Sequence, residues 1–508
     1  MMPFPIARPR LREEQLFLVI AVIVGIVAGL SAVLFTLGIE FVARILFGVS
    51  PSHARLFLVP PLVSIVTGVA LAKVVPDVRG SGVPQTKAAY HLAGGRMRWR
   101  VPVGKFITGI LCIGSGHSMG REGPSVQIGA GLASIIGQWL NLSPRRVREL
   151  IPVGAAGALA AAFNTPVAAV LFALEEIIGD MNAPLLGSTV VASVSAVIVE
   201  RSILGNEPLF HVPTYHLEHP AELAAYALLG IVGGGVSLLF CKTLLALRRA
   251  FLSLPASTKV VQPAIGGIVI GAMLLYSPAV MGVGYEYVDQ ALNGGLILQT
   301  LIVLCLLKVA ATIVSYTSGN AGGIFAPSLY IGAMAGGAVG MLVHAHAPFP
   351  TAEAGAYALV GMGTVFAGIV RAPMTSVFMI FEITQDYQIL VPLMVANMLS
   401  FLISKRFQRL PIYEALLLQD NIHLPHGAPK MVTASRTARD VMQGDAATVT
   451  DVPPVHVHPD HPLEIILERL AESGGELPVI SRADARRVEG VITADSILTV
   501  LGRRKEAR

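Results

Sequence analysis

An acid set among apolar residues is the first place to look for chemistry in this chain. Glu122 lies in GSGHSMGREGPSVQIGA (Gly114–Ala130), a glycine-punctuated loop with Pro124 just beyond the acid. The same skeleton returns 203 residues later as SGNAGGIFAPSLYIGA (Ser318–Ala333), where Phe325 replaces Glu122 and Ile324 replaces Arg121. A further break reads Gly80-Ser81-Gly82-Val83-Pro84. In each, Gly precedes Pro, the pattern of a loop opening into a helix with Pro in its first turn. A helix start leaves backbone N–H groups unpaired and turns its positive dipole end forward. Several starts that converge make an anion site without a full positive charge, which suits transport because a bound ion must also leave. A carboxylate there could occupy the site when ionised and vacate it when protonated, so one group would gate an anion and carry a proton.

The elements that hold such loops must be membrane helices. Of 508 residues, 54% are hydrophobic and 14% charged, with a mean hydropathy of +0.68; soluble chains carry about 25% charged residues. Apolar segments at Leu16–Leu37, Leu56–Val75, Leu223–Leu247 and Leu296–Val314, with a shorter one at Ile389–Ile403, approach the roughly 20 residues that cross a bilayer. Their Gly and Pro breaks are tolerable in lipid only where protein or a polar cavity satisfies the freed backbone groups. Arg8, Arg10 and Arg12 precede the first segment and argue for a cytoplasmic N-terminus. Leu16–Leu37 is too long for a signal-peptide core and reads as a retained helix. The net charge of +5 carries no nucleic-acid signal, and Cys112, Cys241 and Cys305 give neither a disulfide framework nor metal-ligand spacing.

The duplication extends beyond the opening motif. Pro61, Pro76, Gly80 and Gly82 match Pro263, Pro278, Gly282 and Gly284 at an offset of 202, Lys105 matches Lys308 at 203, and Pro166 and Glu175 match Pro373 and Glu382 at 207. Three matching sets in chain order imply two halves of one fold. The halves run either parallel or inverted; inversion is favoured if each crosses the membrane an odd number of times, and inverted repeats commonly place the substrate site at their interface. The chain divides into a cytoplasmic N-terminus (1–14), a first membrane repeat (15–205), a second repeat with a following linker helix (206–420) and a charged cytoplasmic tail (421–508). Within the tail, Ala438–Met442, Leu463–Ala471, Leu477–Ile480 and Glu489–Leu498 suggest a small β-α-β-β-α unit.

GSGVP, GREGP and GGIFAP, in this order and spacing, resemble the signature regions of the CLC family of chloride channels and proton-coupled chloride transporters, over about residues 15–420. The resemblance implies an all-α polytopic fold of two inverted helical halves with broken helices, and a homodimer with one pore per subunit. It implies that Ser81 coordinates chloride by its hydroxyl, that Ile324 and Phe325 offer backbone amides, and that Tyr413 donates its phenolic O–H. Relatives with Pro in place of this serine favour nitrate, so Ser81 points to chloride. By the same likeness Glu122 is gate and proton carrier. The likeness further implies that Glu176, ending AAAFNTPVAAVLFALEE (Ala160–Glu176), passes protons to and from the cytoplasm; Glu175, by its repeat partner Glu382, reads as structural. The tail resembles a CBS motif, in which Thr493 and Asp495 would hold the ribose or phosphate of an adenine nucleotide; one convincing copy is present.

Further polar residues remain open. Lys105 and Lys308 either raise the potential along the anion path, as Arg121 could, or snorkel to the interface. His117 reads as a polar loop residue, and His456, His458 and His461 as a solvated loop rather than a metal site. The expected protein is a proton-coupled chloride antiporter, multi-pass in the cell membrane with both termini cytoplasmic, requiring no cofactor or metal and binding no nucleic acid. Its rivals are a passive chloride channel gated by Glu122 and a nucleotide-sensing regulator anchored in the membrane. No metal-ligand spacing or nucleophile–base constellation supports an enzyme.

Overall fold

The computed structural model describes residues 13–424, except 182–184, 206–208, 211, 213–214, 216 and 386, and residues 437–502, except 445–446, 449–452 and 485. Two compact units divide between Leu424 and Pro425.

The first unit is a duplicated set of helices. Helices α1 (Glu13–Phe47), α2 (His53–Val69), α3 (Val83–His91), α4 (Arg100–Gly114), α5 (Glu122–Trp139), α6 (Pro144–Phe163), α7 (Pro166–Phe172) and α8 (Leu186–Leu204) build the first half. The second half repeats them as α9 (Glu222–Leu252), α10 (Gln262–Tyr276), α11 (Tyr285–Leu292), α12 (Leu298–Thr317), α13 (Phe325–His346), α14 (Ala354–Val370), α15 (Pro373–Thr384) and α16 (Leu390–Phe407), and α17 (Ile412–Gln419) follows. Packing is duplicated too: α5 lies on α6 as α13 lies on α14, and α1 on α8 as α9 lies on α16. Equivalent helices also meet each other, α2 with α10 and α7 with α15. That self-pairing is what a two-fold relation between the halves requires.

Burial is inverted relative to a soluble protein. Along α1, Phe17, Ile20, Ala21, Val24 and Ala28 are buried while Leu16, Ile23, Ile26, Leu30 and Leu34 on the other side are exposed. Meanwhile Lys105, Lys308, Glu122 and Glu222 are all 0% exposed. Seven helices among the described residues are long and apolar enough to cross a membrane. An apolar outside and a polar inside make this a multi-pass membrane protein.

Helices approach closely where neither has a side chain at the crossing. A Cβ on Gly129 would stand 2.3 Å from the Gly154 carbonyl oxygen, and one on Gly154 equally close to that of Gly129. The second half repeats this: a Cβ on Gly332 would be 2.2 Å from Gly361 O, and one on Gly361 2.3 Å from Gly332 O. The repeat seen in the sequence at these glycines is therefore a pair of reciprocal backbone contacts.

The second unit is small and α+β. Strands β1 (Ala447–Thr448), β2 (Glu476–Ile480) and β3 (Arg487–Thr493) form an antiparallel sheet in the order β1-β3-β2, with helices Leu463–Glu472 and Ala494–Gly502. The β-α-β-β-α order matches the expectation from sequence, except that the stretch Ala438–Met442 contributes a single helical turn, Ala438–Val441, before the sheet. Leu463, Ile466, Leu477, Val479 and Ile492 fill its core.

Gly154→Ala and Gly361→Ala should each lower the stability of the detergent-solubilised protein by about 1–3 kcal/mol, the usual cost of overpacking. Gly235→Ala, where an added Cβ meets nothing within 4 Å, should leave the thermal midpoint unchanged or slightly raised. Equal midpoints for all three variants would contradict the close crossings.

Candidate functional site

Three helix starts are laced together at the centre of the first unit. Gly120 N–H donates to Gly323 O and Gly323 N–H donates to Gly120 O, both at 2.8 Å. These glycines are repeat equivalents, so the reciprocal pair marks the pseudo-two-fold axis. Gly80 joins from one side: its N–H donates to Asn320 O at 3.1 Å, and its carbonyl accepts from Gly322 N–H at 3.0 Å. Gly82, at φ +105°, turns the chain into α3, a backbone conformation natural to glycine. Arg121 and Ile324, the residues before α5 and α13, cap those helices with no side-chain hydrogen bond, leaving the first-turn amides to whatever lies ahead.

Glu122 stands at the first position of α5, fully buried. Its Oε1 accepts from the Tyr285 hydroxyl at 2.7 Å. Its Oε2 is buried without a hydrogen-bond partner. A Cβ added to Gly120 would stand 2.3 Å from Oε2 and 3.1 Å from the Ala326 nitrogen, so the carboxylate lies over the start of α13. Arg121 turns elsewhere: its Nη1 donates to Thr36 Oγ1 and its Nη2 to Ala162 O, each at 3.2 Å, and its guanidinium lies 5.5 Å from the Tyr285 ring. Tyr285 was not singled out in the sequence. It follows Gly284 in the fourth break, the repeat equivalent of Gly82, and that placement was the available signal.

Ser81 and Tyr413 converge on the same place. Both hydroxyls are buried without a hydrogen-bond partner. A Cβ on Gly123 would be 2.4 Å from Ser81 Oγ and 3.2 Å from the Gly323 Cα, so Ser81 sits against the start of α5. Tyr413 is near enough to Ser81 to interact with it, and feels the charges of Glu122 and Glu176. Its side chain is fully buried. Ile324 and Phe325 are also buried, and the Phe325 ring packs among Phe163, Phe172 and Phe366 with centroids 5.1, 5.7 and 4.4 Å away. Three orphaned polar atoms (Ser81 Oγ, Tyr413 Oη and Glu122 Oε2) thus surround uncapped helix starts.

Glu175 and Glu176 occupy a wide π-helical turn, Ala173–Ile178, that ends α7. Glu175 is a cap: its carboxylate accepts from Met374 N, Thr375 N and Thr375 Oγ1 at 3.3, 2.9 and 2.7 Å. Its repeat partner Glu382 accepts from Val167 N and Ala168 N at 2.9 and 2.7 Å. Each half thereby caps a helix start of the other. Glu176 turns inward to a different partner, Lys87 Nζ at 3.0 Å, and the same nitrogen reaches Glu414 Oε1 at 2.9 Å.

Lys105 and Lys308 do not snorkel. Lys105 Nζ donates to Val78 O and Gly80 O at 2.9 and 2.5 Å, and Lys308 Nζ to Val280 O and Gly282 O at 3.2 and 2.8 Å. Each ammonium ties down the loop that precedes a helix start. His117 is also not an open loop residue: it is fully buried and bridges Ser64 Oγ at 2.7 Å and Ser315 Oγ at 3.4 Å. A cavity of about 680 Å3 leads to Gly80 and Tyr316, and Arg79, Arg248 and Lys259 line it with Asp77 and Asp420.

In the tail, Thr493 caps its own helix: its Oγ1 accepts from Ser496 N at 3.2 Å while Thr493 N–H donates to Ser496 Oγ at 3.0 Å. Asp495 lies in the first turn of the same helix. His456, His458 and His461 lie half-buried in the loop before the helix at Leu463, their rings meeting edge to face, and His458 Nδ1 also bonds Ile480 O on β2 at 2.8 Å. No group of three His, Cys, Asp or Glu among the described residues could hold a metal ion. The exposed Asp460 carboxyl is held down to about 2 by its bidentate hydrogen bonds from Arg482.

Residues 62–405 match the family described as voltage gated chloride channel, and residues 444–503 match the CBS domain. The chain is 31% identical over 414 residues to the H(+)/Cl(-) exchange transporter ClcA of Vibrio campbellii, covering 79% of this chain and 88% of that one. It is 31% identical over 421 residues to the protein of the same name from Yersinia pseudotuberculosis, covering 80% and 88%. The crystal structure of a slow cyanobacterial Cl-/H+ antiporter matches with a TM-score of 0.71 at 27% identity, over 80% of this chain and 97% of that one. A eukaryotic CLC transporter shares the fold, with a TM-score of 0.67 at 20% identity over 96% and 88%.

Glu382→Gln should cost about 1–3 kcal/mol, because an amide can accept from one N–H but offers its NH2 to the other, and hydrogen bonds to charged groups carry that worth. A fall in thermal midpoint checks it. A midpoint equal to the parent's would mean that the reciprocal caps do not hold the halves together.

Proposed function

The chain belongs to the voltage-gated chloride channel family, and from that membership we propose that it exchanges chloride for protons, with Glu122 as gate and proton carrier. The observation that carries this reading is the set of orphaned polar atoms: Ser81 Oγ, Tyr413 Oη and Glu122 Oε2 are buried without partners beside helix starts that no side chain caps. Buried polar groups are normally hydrogen-bonded. Hydroxyls and amides that point at one place are suited to an anion, for which they are neutral donors.

The mechanism follows from competition. An ionised Glu122 carboxylate and a chloride ion want the same dipoles, and two anions so close in a low dielectric repel strongly. Chloride entry therefore favours a protonated, displaced side chain. When the proton leaves, the carboxylate returns to the Tyr285 hydroxyl and the α13 amides. One group thus links each proton movement to chloride movement. Glu176, buried and paired with Lys87 rather than with helix-start amides as Glu175 and Glu382 are, supports exchange over a passive channel. No covalent chemistry is involved, so the protein is a transporter rather than an enzyme.

The working unit is a homodimer in the cell membrane with both termini cytoplasmic, as Arg8, Arg10 and Arg12 before the first span favour. Chloride is the anion that Ser81 suits. The CBS-like tail takes an adenine nucleotide through Asp495 and Thr493, though the Thr493 hydroxyl must then share its helix-capping role; transport requires no cofactor.

In proteoliposomes, an imposed chloride gradient should drive protons uphill. Glu122→Gln should keep chloride flux and lose proton movement; uphill proton movement that persists in this variant refutes the assignment. Ser81→Ala and Tyr413→Phe should each weaken chloride binding about tenfold, as loss of a hydrogen bond to a charge implies. Calorimetric titration of the purified protein checks this, and unaltered affinity in both would remove the hydroxyls from the site.

A further inference from the structure

We propose that Glu414 is the acid that takes protons from water on the side of the membrane where the chain leaves for its tail, and that Lys87 relays them to Glu176. The inference rests on the exchange reading, and extends it to groups that reading does not use.

The geometry is a single ammonium shared by two carboxylates. Lys87 Nζ lies 3.0 Å from Glu176 Oε1 and 2.9 Å from Glu414 Oε1, so the two oxygens are within 5.9 Å of each other. One positive charge between two negative ones leaves an excess of one negative charge, which a single proton cancels. The triad is therefore built to hold one labile proton. Exposure sets its direction of entry: the Glu176 side chain is 5% exposed and that of Lys87 7%, while that of Glu414 is 22% exposed. Only Glu414 of the three meets water to a useful extent. It stands in the first turn of α17, in the last turns of the candidate span Leu390–Gln419.

The transfer balances without a co-reactant. Water-borne H+ adds to a Glu414 carboxylate oxygen. Lys87 Nζ then gives one N–H proton to Glu176 Oε1 and takes the proton from Glu414, so the ammonium is restored and Glu176 is left neutral. Other charged groups near the triad do not bridge it: Glu175 is committed to the α15 start, and His91 bonds Ile177 O at 3.0 Å. Arg371 donates to Ser404 O and Arg409 O, and Arg148 stacks on Tyr90. Tyr413, the residue before Glu414, carries the orphaned hydroxyl of the anion site. The relay therefore begins one residue from where chloride binds.

Three variants in proteoliposomes test the relay. Glu414→Gln should lower proton flux at least about tenfold, the lower end of what a positioned proton-transfer group contributes, with chloride flux within about twofold of the parent. Glu414→Asp should restore part of the loss. Lys87→Arg keeps the charge and can bond both carboxylates, but a guanidinium does not give up a proton in proteins; it should reproduce the Glu414→Gln phenotype. A parental proton-to-chloride ratio in Glu414→Gln overturns the relay, and so does an equal loss of both fluxes, which would mark Glu414 as a structural tie. Glu176→Gln separates the two levels. If it stops proton flux while Glu414→Gln does not, the relay alone falls; if it leaves proton flux intact, the role of Glu176 falls and the relay with it.

Discussion

A charge buried at membrane depth must be met by dipoles or by another charge, and this molecule is arranged around that constraint. Isolated ions lose far more solvation on burial than a fold can supply. Lys105 and Lys308 are answered by pairs of loop carbonyls, Glu175 and Glu382 by helix-start amides, and Lys87 by two carboxylates. Glu222, also fully buried, accepts from Ala352 N and the Tyr357 hydroxyl at 2.8 and 2.9 Å. Against those paired charges, the orphaned oxygens of Ser81, Tyr413 and Glu122 are set apart by gathering at the uncapped helix starts, where the proposed exchange needs donors for an ion that comes and goes. A full positive charge in their place would bind an anion more tightly and release it more slowly.

Symmetry supplies the scaffold and its violation supplies the function. Reciprocal bonds between Gly120 and Gly323, reciprocal glycine crossings and reciprocal caps by Glu175 and Glu382 all obey the pseudo-two-fold relation. The residues with proposed roles do not. Glu122 faces its equivalent Phe325, Arg121 faces Ile324, and Ser81, Glu176 and Tyr285 correspond to Val283, Ile383 and Val83. Duplication thus fixes where helices begin, and single substitutions in one half decide which starts carry an acid, a hydroxyl or a ring. Phe325 shows the division: its position comes from the repeat, whereas its ring closes an aromatic cluster with Phe163, Phe172 and Phe366.

Much of this was legible in the chain because glycines and prolines mark helix starts, and because a repeat exposes the positions where the halves differ. Glu122 and Ser81 could be found that way. The likeness of Glu175 to Glu382 pointed to a structural pair, and the caps supply its form. Partners were not legible. Tyr285 reaches Glu122 across 163 residues and Lys87 reaches Glu414 across 327, and no local pattern signals a contact made only in the fold. The lysines stayed open for a related reason: a flexible stem beside apolar residues reads equally as snorkelling or as charging the anion path, and only the carbonyls of the Gly80 and Gly282 loops show that it is held inside. His117 does lie in the loop before α5, but its burial was hidden because its partners, Ser64 and Ser315, lie on distant helices.

In the proposed exchange, helix α3 lies between the paths of the two substrates. Its start carries Ser81 and Gly82, and Pro84, Gln85, Ala88 and Leu92 line the cavity that reaches Gly80 and Tyr316. Residues four apart lie along one face of a helix, whereas Lys87 falls off that face. Lys87 turns instead to Glu176 and Glu414. One short helix therefore separates a wide, arginine-lined cavity suited to a hydrated anion from a line of acid, ammonium and acid suited to a bare proton. Tyr413 and Glu414 are adjacent on α17, which packs against α3. A shift of α17 against α3 would thus alter the anion site and the proton line together, which ties the two movements by packing as well as by the charge on Glu122.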